Sequence, residues 1–286
     1  MKPTLNLLLI LALVCGLMLW TGCPLIPDDP DYWDGNDPDD DPDDGDDEPD
    51  PNEPLWAGVV WAEKAGGPSA DAAQAVTGLP DGSCIVTGFY SSSAVFSPST
   101  QQAVTWVSEG DNDMFLARYA PDGRQVWVTS AGGSGLDEGH GVAALPDGSV
   151  YVAGAHSLYA QFGEQDPVQT LLPAAGPLDI FLARYNFDGT FRFATRAGGY
   201  SYDEANDVSA LDDGAAYVTG YYTTRAGFGV SETNEPVLTS AGDEDLFVAR
   251  FNNDGSLDWV RSEGGTGTDV GTGIAAYPDG SVVAAG

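Results

Sequence analysis

"AGGSGLDEGHGVAALPDGSVYVAG" occupies residues 131–154, and the chain writes it again. It recurs as "AGGYSYDEANDVSALDDGAAYVTG" at 197–220, is preceded by "AGGPSADAAQAVTGLPDGSCIVTG" at 65–88, and closes the sequence as "EGGTGTDVGTGIAAYPDGSVVAAG" at 263–286. The period is 66 residues, without insertion or deletion. Trp61, Trp127, Phe193 and Trp259 share one phase, the glycine pairs beginning at Gly66, Gly132, Gly198 and Gly264 a second, and Asp71, Asp137, Asp203 and Asp269 a third. A period of this size marks a stacked or circular array in which no unit buries its apolar face alone.

Within a unit the pattern is strand and turn. "SVYVAG" follows "PDG", "DIFLARY" precedes "NFDG", and each Asp-Gly step supplies the backbone freedom of a tight hairpin. Each unit is read as four strands: one around Trp127, then "GVAAL", "SVYVAG" and "DIFLARY". A further apolar patch, "VTWVS" at 104–108 or "VLTSA" at 237–241, is expected as a short strand or ordered loop before the fourth. The 37 glycines and 19 prolines argue against long helices. The expected fold is all-β: a β-propeller of four-stranded antiparallel blades over 55–286, with repeats at 61–126, 127–192, 193–258 and a partial 259–286.

The order of strands gives three complete blades and two strands of a fourth. The opening "LWAGVVWAEKAGG" reads as a spare first strand for the last blade, and a further "DxFxAR" strand is due beyond Gly286. A truncated gene product is therefore expected in preference to a four-bladed ring with a deficient blade, since an incomplete ring exposes strand edges.

The segment "DLFVARFNNDGSLDWVRSEGGTGTDVGTGIAAYPDGSVVAAG" (245–286) resembles the seven-bladed β-propeller (SBBP-type) repeats of bacterial surface proteins. It shares the "D-apolar-F-apolar-A-R" strand, the "DG" turn, the aromatic-led strand ending in "GG" and the glycine closing the third strand. The resemblance extends over 56–286 and implies architecture, not a reaction.

Lys2, the apolar run "LNLLLILALVCGLMLW" and "TGC" form a secretory signal over 1–22, similar to that of bacterial lipoproteins. That likeness makes Cys23 the lipidated first residue of the mature protein, although Trp20 stands where an aliphatic residue is usual. Cleavage without lipid and an uncleaved anchor are the alternatives, and all three export the remainder of the chain. Residues 23–54 are the lipidated cysteine and an acidic tether; 24–54 hold 15 acidic side chains and no basic one, too charged and proline-rich to fold. The spacing does not match an EF-hand loop. With a net charge of −34 the chain has no basic patch for nucleic acid.

Neither His140 nor His156 recurs in phase, and both read as surface or loop residues. No "GxSxG", "HExxH" or cysteine pair accompanies them, so the chain is read as a non-enzyme with no catalytic residue and no cofactor. Cys84 reads as a small buried residue. Arg118, Arg184 and Arg250 each follow Asp113, Asp179 or Asp245 by five residues in strands that read as buried, which calls for Arg–Asp links within or between blades. Asp71, Asp137, Asp203 and Asp269 fit turns in which the carboxylate accepts backbone N–H groups; the competing reading is a calcium ring, one site per blade. Recognition is placed where the copies differ, in the connectors 89–112, 155–178 and 221–244, which keep Phe96, Phe162 and Phe228 and Gly110, Gly176 and Gly242 while varying around them.

The expected protein is an exported, lipid-anchored bacterial scaffold at the outer membrane or cell surface that binds or displays a protein or glycan. An extracytoplasmic enzyme with its site in the propeller mouth and a non-functional fragment are the alternatives.

Overall fold

The computed structural model describes residues 61–97, 103–229 and 235–286. The signal segment, Cys23 and the acidic tether lie outside the described residues. Those described form strands and turns without a helix.

Three four-stranded antiparallel sheets succeed one another. Sheet I contains Asp71–Gly78, Cys84–Tyr90, Asp113–Tyr119 and Gln125–Ala131. Sheet II contains Asp137–Ala144, Val150–His156, Asp179–Tyr185 and Phe191–Gly199, and sheet III Asp203–Ala210, Ala216–Gly227, Val237–Phe251 and Leu257–Glu263. A hairpin of Gly273–Ala276 and Val282–Ala285 comes last. The strands alternate in direction, so every sheet has a turn end, where its two short hairpins lie, and a connector end.

The hairpins at the turn end share one chemistry. In "LPDGS" the Leu79 carbonyl accepts from Gly82, Gly82 takes φ +80°, and Asp81 Oδ1 accepts both the N–H and the hydroxyl of Ser83. A left-handed φ suits glycine, and the aspartate caps the turn from its side chain. The same triad closes the hairpins at Gly148 and Gly280.

Consecutive sheets bury each other's faces. One core cluster joins Ile85, Met114 and Leu116 of sheet I to Val150, Val152 and Phe181 of sheet II; the next joins Tyr151, Ile180 and Leu182 to Val208, Val218 and Phe247 of sheet III. The period survives in ring geometry: Phe96–Phe115, Phe162–Phe181 and Phe228–Phe247 have centroids 5.1, 5.1 and 5.0 Å apart at angles of 56–57°. Bulk is excluded at one point in each sheet. A Cβ on Gly154 would lie 1.9 Å from the Glu138 carbonyl, and Gly88 and Gly220 are equally confined. Antiparallel sheets packed this way are consistent with a β-propeller.

The connectors are β-ribbons rather than irregular loops. Ser93–Phe96 pairs with Val104–Val107 and Tyr159–Phe162 with Thr170–Pro173, while in sheet III the ribbon is continuous with the long central strands. Each ribbon also touches the glycine pair before its sheet, through Ala65–Phe96, Gly132–Gln161 and Gly198–Gly227. Of the opening segment expected as a spare first strand, residues 55–60 lie outside the described residues. Among the described residues, Ala65–Gly66 joins the first connector ribbon, and no early strand pairs with the final hairpin.

Candidate functional site

At the turn end, charge fastens one sheet to the next. Arg118 donates from Nη2 to Asp81 Oδ2 at 2.6 Å, from Nε to Ser83 Oγ, and across the junction from Nη1 to the Phe187 carbonyl at 3.1 Å. Its guanidinium carbon lies 3.7 Å from the centre of the Phe187 ring. Arg184 repeats the pattern with Ser149 Oγ and the carbonyl and side chain of Asn253, and has Asp147 3.8 Å away. Arg250 lies 3.6 Å from Asp213 and pairs with Asp258. The carboxylates that serve the arginines thus come from the hairpin turns and, for Arg250, also from Asp258 of the adjoining strand, not from Asp113, Asp179 and Asp245 of the same strands. Strand geometry explains this: residues five apart in a strand point to opposite faces. The period-66 aromatics act beside them. Trp61 Nε1 donates to Pro121 O and Trp127 Nε1 to Phe187 O, and the rings lie where a Cβ on Gly123 or Gly189 would sit. Phe193 covers Gly255 in the same way without the hydrogen bond.

At the connector end, Asp113, Asp137, Asp179, Asp203 and Asp245 are buried, and Asp71 and Asp269 are half-buried. Asp71, Asp137, Asp203 and Asp269 each accept, through Oδ2, the N–H of the glycine four residues earlier, at 2.6–2.9 Å. Each caps its own turn, and among the described residues no three acidic, histidine or cysteine side chains converge to hold a metal ion. Asp113, Asp179 and Asp245 accept N–H groups of their own connectors. Strand register lines these acids into rows, Asp71–Tyr90–Asp113 in sheet I, Asp137–His156–Asp179 in sheet II and Asp203–Tyr222–Asp245 in sheet III. Burial, then the neighbouring Asp113 charge, pushes Asp137 up to about 8; burial raises Asp113 and Asp203 to about 7.

The middle row departs from its neighbours in two linked places. Tyr90 bonds Ser130 and Tyr222 bonds Ser262, each at 2.7 Å. Sheet II has His156 and Arg196 at these positions, and Arg196 Nη1 donates to Asp179 Oδ2 at 2.8 Å. His156 is fully buried in a strand, and burial followed by the Arg196 charge drops its imidazole to about 4. His140 is no surface residue either. It occupies a bulge in Asp137–Ala144, and its Nδ1–H donates to the Ala205 carbonyl of sheet III at 2.9 Å, with Glu138 3.3 Å from Nε2. Asn206 makes the equivalent reach to Gly271 O. His140 is thus a junction residue and His156 an interior strand residue of sheet II, buried by sheet packing that chain position does not reveal. Cys84 is half-buried at the start of its strand, packed against a sheet I cluster that includes Val86, Phe115 and Ala117.

The outward surface lies on the connectors. Val107, Leu158, Tyr159, Leu171 and Tyr200 are 55–90% exposed on ribbons or adjoining glycine turns, whereas Phe96, Phe162 and Phe228 beneath them are 0–1% exposed. A cleft of about 260 Å³ opens beside the outer strand of sheet I, lined by Trp106, Trp127, Glu164, Asp166, Asp188 and Thr190 among others. Sequence reasoning missed this cleft, since Trp106 is visible in the chain only as part of a short strand.

Two comparisons bear on this architecture. Residues 237–258 match a family model described as a domain of unknown function (DUF5122), a β-propeller. The chain is also similar to an uncharacterized WD repeat-containing protein of Acanthamoeba polyphaga mimivirus, at 23% identity over 253 residues, covering 76% of this chain and 18% of that protein. The chain thus spans less than a fifth of the length of that relative. Both matches agree with the stacked antiparallel sheets and support a β-propeller.

Proposed function

We propose that the protein is a β-propeller interaction scaffold whose connector ribbons present the contact surface for a protein partner. One observation carries the reading: a repeated, tightly packed support holds apolar side chains 55–90% exposed on segments that differ from copy to copy. Rigid supports with variable connections are how many folds mount binding residues, and clustered exposed apolar groups mark interaction surfaces. Repeat propellers suit this role because their faces are broad and need no catalytic centre.

The amino-terminal signal, Cys23 and acidic tether extend the proposal to an exported, lipid-held bacterial surface protein of SBBP type, its blades standing off the membrane on the charged spacer. Replacing Cys23 with Ser should move the protein from the membrane to the soluble fraction; unchanged partition would refute lipidation. For binding, a photo-crosslinking residue at Tyr159 should capture a discrete protein that the same probe at exposed Val76, on the first strand of sheet I, does not. Equal capture at both positions would remove the connectors from the account.

A further inference from the structure

We propose that the cleft at the junction of sheets I and II binds an arginine or lysine side chain carried by an extended basic peptide. The inference rests on the scaffold reading and names the chemistry of the partner at one place.

The cleft unites residues that keep the 66-residue period, Trp127 and Asp188, with others from the connectors that depart from it. Trp106 belongs to the first connector, and the other copies carry Leu172 and Leu238 there. Glu164 and Asp166 come from the second connector, where the corresponding stretches "SPST" (97–100) and "GVSE" (229–232) place Pro98 and Thr100 or Val230 and Glu232. Two indoles and three carboxylates therefore meet at this junction, and no basic side chain lines it. Asp188 is held ionised, its carboxyl lowered by the Thr190 hydroxyl and then by the Thr190 N–H. Trp127 is fixed by its bond to Phe187 O, and Trp106 is half-buried with its Nε1–H lacking an acceptor.

An aromatic face beside carboxylates attracts a cation, with guanidinium the best match because it stacks and pairs at once. The molecule already uses this combination internally, where Arg118 stacks on Phe187 and pairs with Asp81. The backbone adds a second feature. Gln125–Ala131 is the edge of sheet I, and among the described residues no strand pairs with its outer side from Val126 to Ser130, part of which forms the cleft wall. An extended peptide can add to such an edge while its side chains fill neighbouring pockets. Phosphate-bearing ligands would meet three carboxylates and no base, and a neutral glycan would leave the carboxylate charge unanswered.

The test is fluorescence anisotropy of the full chain with a labelled Gly-Arg-Gly-Arg-Gly peptide, a Glu-for-Arg control and a neutral oligosaccharide. Trp106→Leu installs the residue the other copies carry, and Glu164→Lys reverses an exposed charge should the first variant fail to fold. The Arg peptide alone should bind, and either variant should weaken it at least fivefold with the thermal midpoint unchanged. Equal binding by the folded variants would assign the affinity to the acidic tether and overturn the cleft, while crosslinking from Tyr159 would still stand. Oligosaccharide binding lost in Trp106→Leu would overturn the basic peptide as occupant.

Discussion

The two ends of each sheet use aspartate in opposite ways. At the turn end, Asp81 and Asp147 lie in the open, their carboxyls lowered first by Ser83 or Ser149 hydroxyls and further by Arg118 or Arg184. At the connector end, Asp113, Asp137 and Asp203 are buried and raised to about 7 or 8. One end is a set of satisfied fastenings repeated around hairpins. The other keeps buried acid, bonded to backbone N–H groups and met by a cation at Asp179, beneath the segments that vary. The residues that hold the array together and the variable, exposed ones are thereby separated along every strand, so connectors can change without loosening the junctions.

Four changes probe that contrast, in falling order of effect. Arg196→Ser removes the cation from fully buried Asp179 and should cost about 3–5 kcal/mol at pH 8, as breaking a buried pair does. Calorimetry should find a smaller loss as the pH is lowered, because burial, which already raises Asp179, acts unopposed by the cation once Arg196 is gone. Adding His156→Tyr installs the Tyr–Ser pair of the neighbouring sheets, and recovery of about 1 kcal/mol or more would show that the two departures are coupled. At the turn end, Arg184→Ala should cost about 2–4 kcal/mol through lost packing and hydrogen bonds across the junction. Its loss should be nearly the same at pH 6 and pH 8, since Asp147 stays ionised throughout.

The third change has the opposite sign. A carboxyl whose folded pKa lies above its unfolded value of about 4 makes the folded state bind more protons between those values, so stability falls as pH rises through that window. For Asp137 the window runs from about 4 to about 8. Asp137→Asn keeps an acceptor for Gly133 and should raise stability by roughly 1–3 kcal/mol at pH 9, with little gain near pH 4 and a flatter profile between. Denaturant midpoints across that range would show it; a profile as steep as the parent's would contradict the buried acid row. Finally, Leu158→Ser on the exposed ribbon should change stability by less than about 0.5 kcal/mol.

Much of this molecule is legible in the chain. The 66-residue register and the Asp-Gly turns locate the strands, because hairpin glycine and alternating apolar residues act locally. The aspartates at Asp71, Asp137, Asp203 and Asp269 cap turns for the same reason, each bonding four residues away. The features that escape are cross-junction. Arg118 reaches Phe187, and Trp127 reaches the same carbonyl, across separations that no local pattern encodes. His156 reads as an ordinary histidine because only strand register sets it between Asp137 and Asp179. The cleft escapes on the same grounds, being assembled from two connectors and an outer strand.

The central claim is a rigid repeated support carrying variable, independent ribbons, and hydrogen exchange on the full chain tests it most directly. Amides in Cys84–Tyr90, Asp113–Tyr119, Val150–His156 and Asp179–Tyr185 should exchange slowest and at similar rates, while those at the ribbon tips, around Leu158 and Gln165, exchange orders of magnitude faster. Comparable protection at tips and central strands, or fast exchange through the central strands, would contradict it.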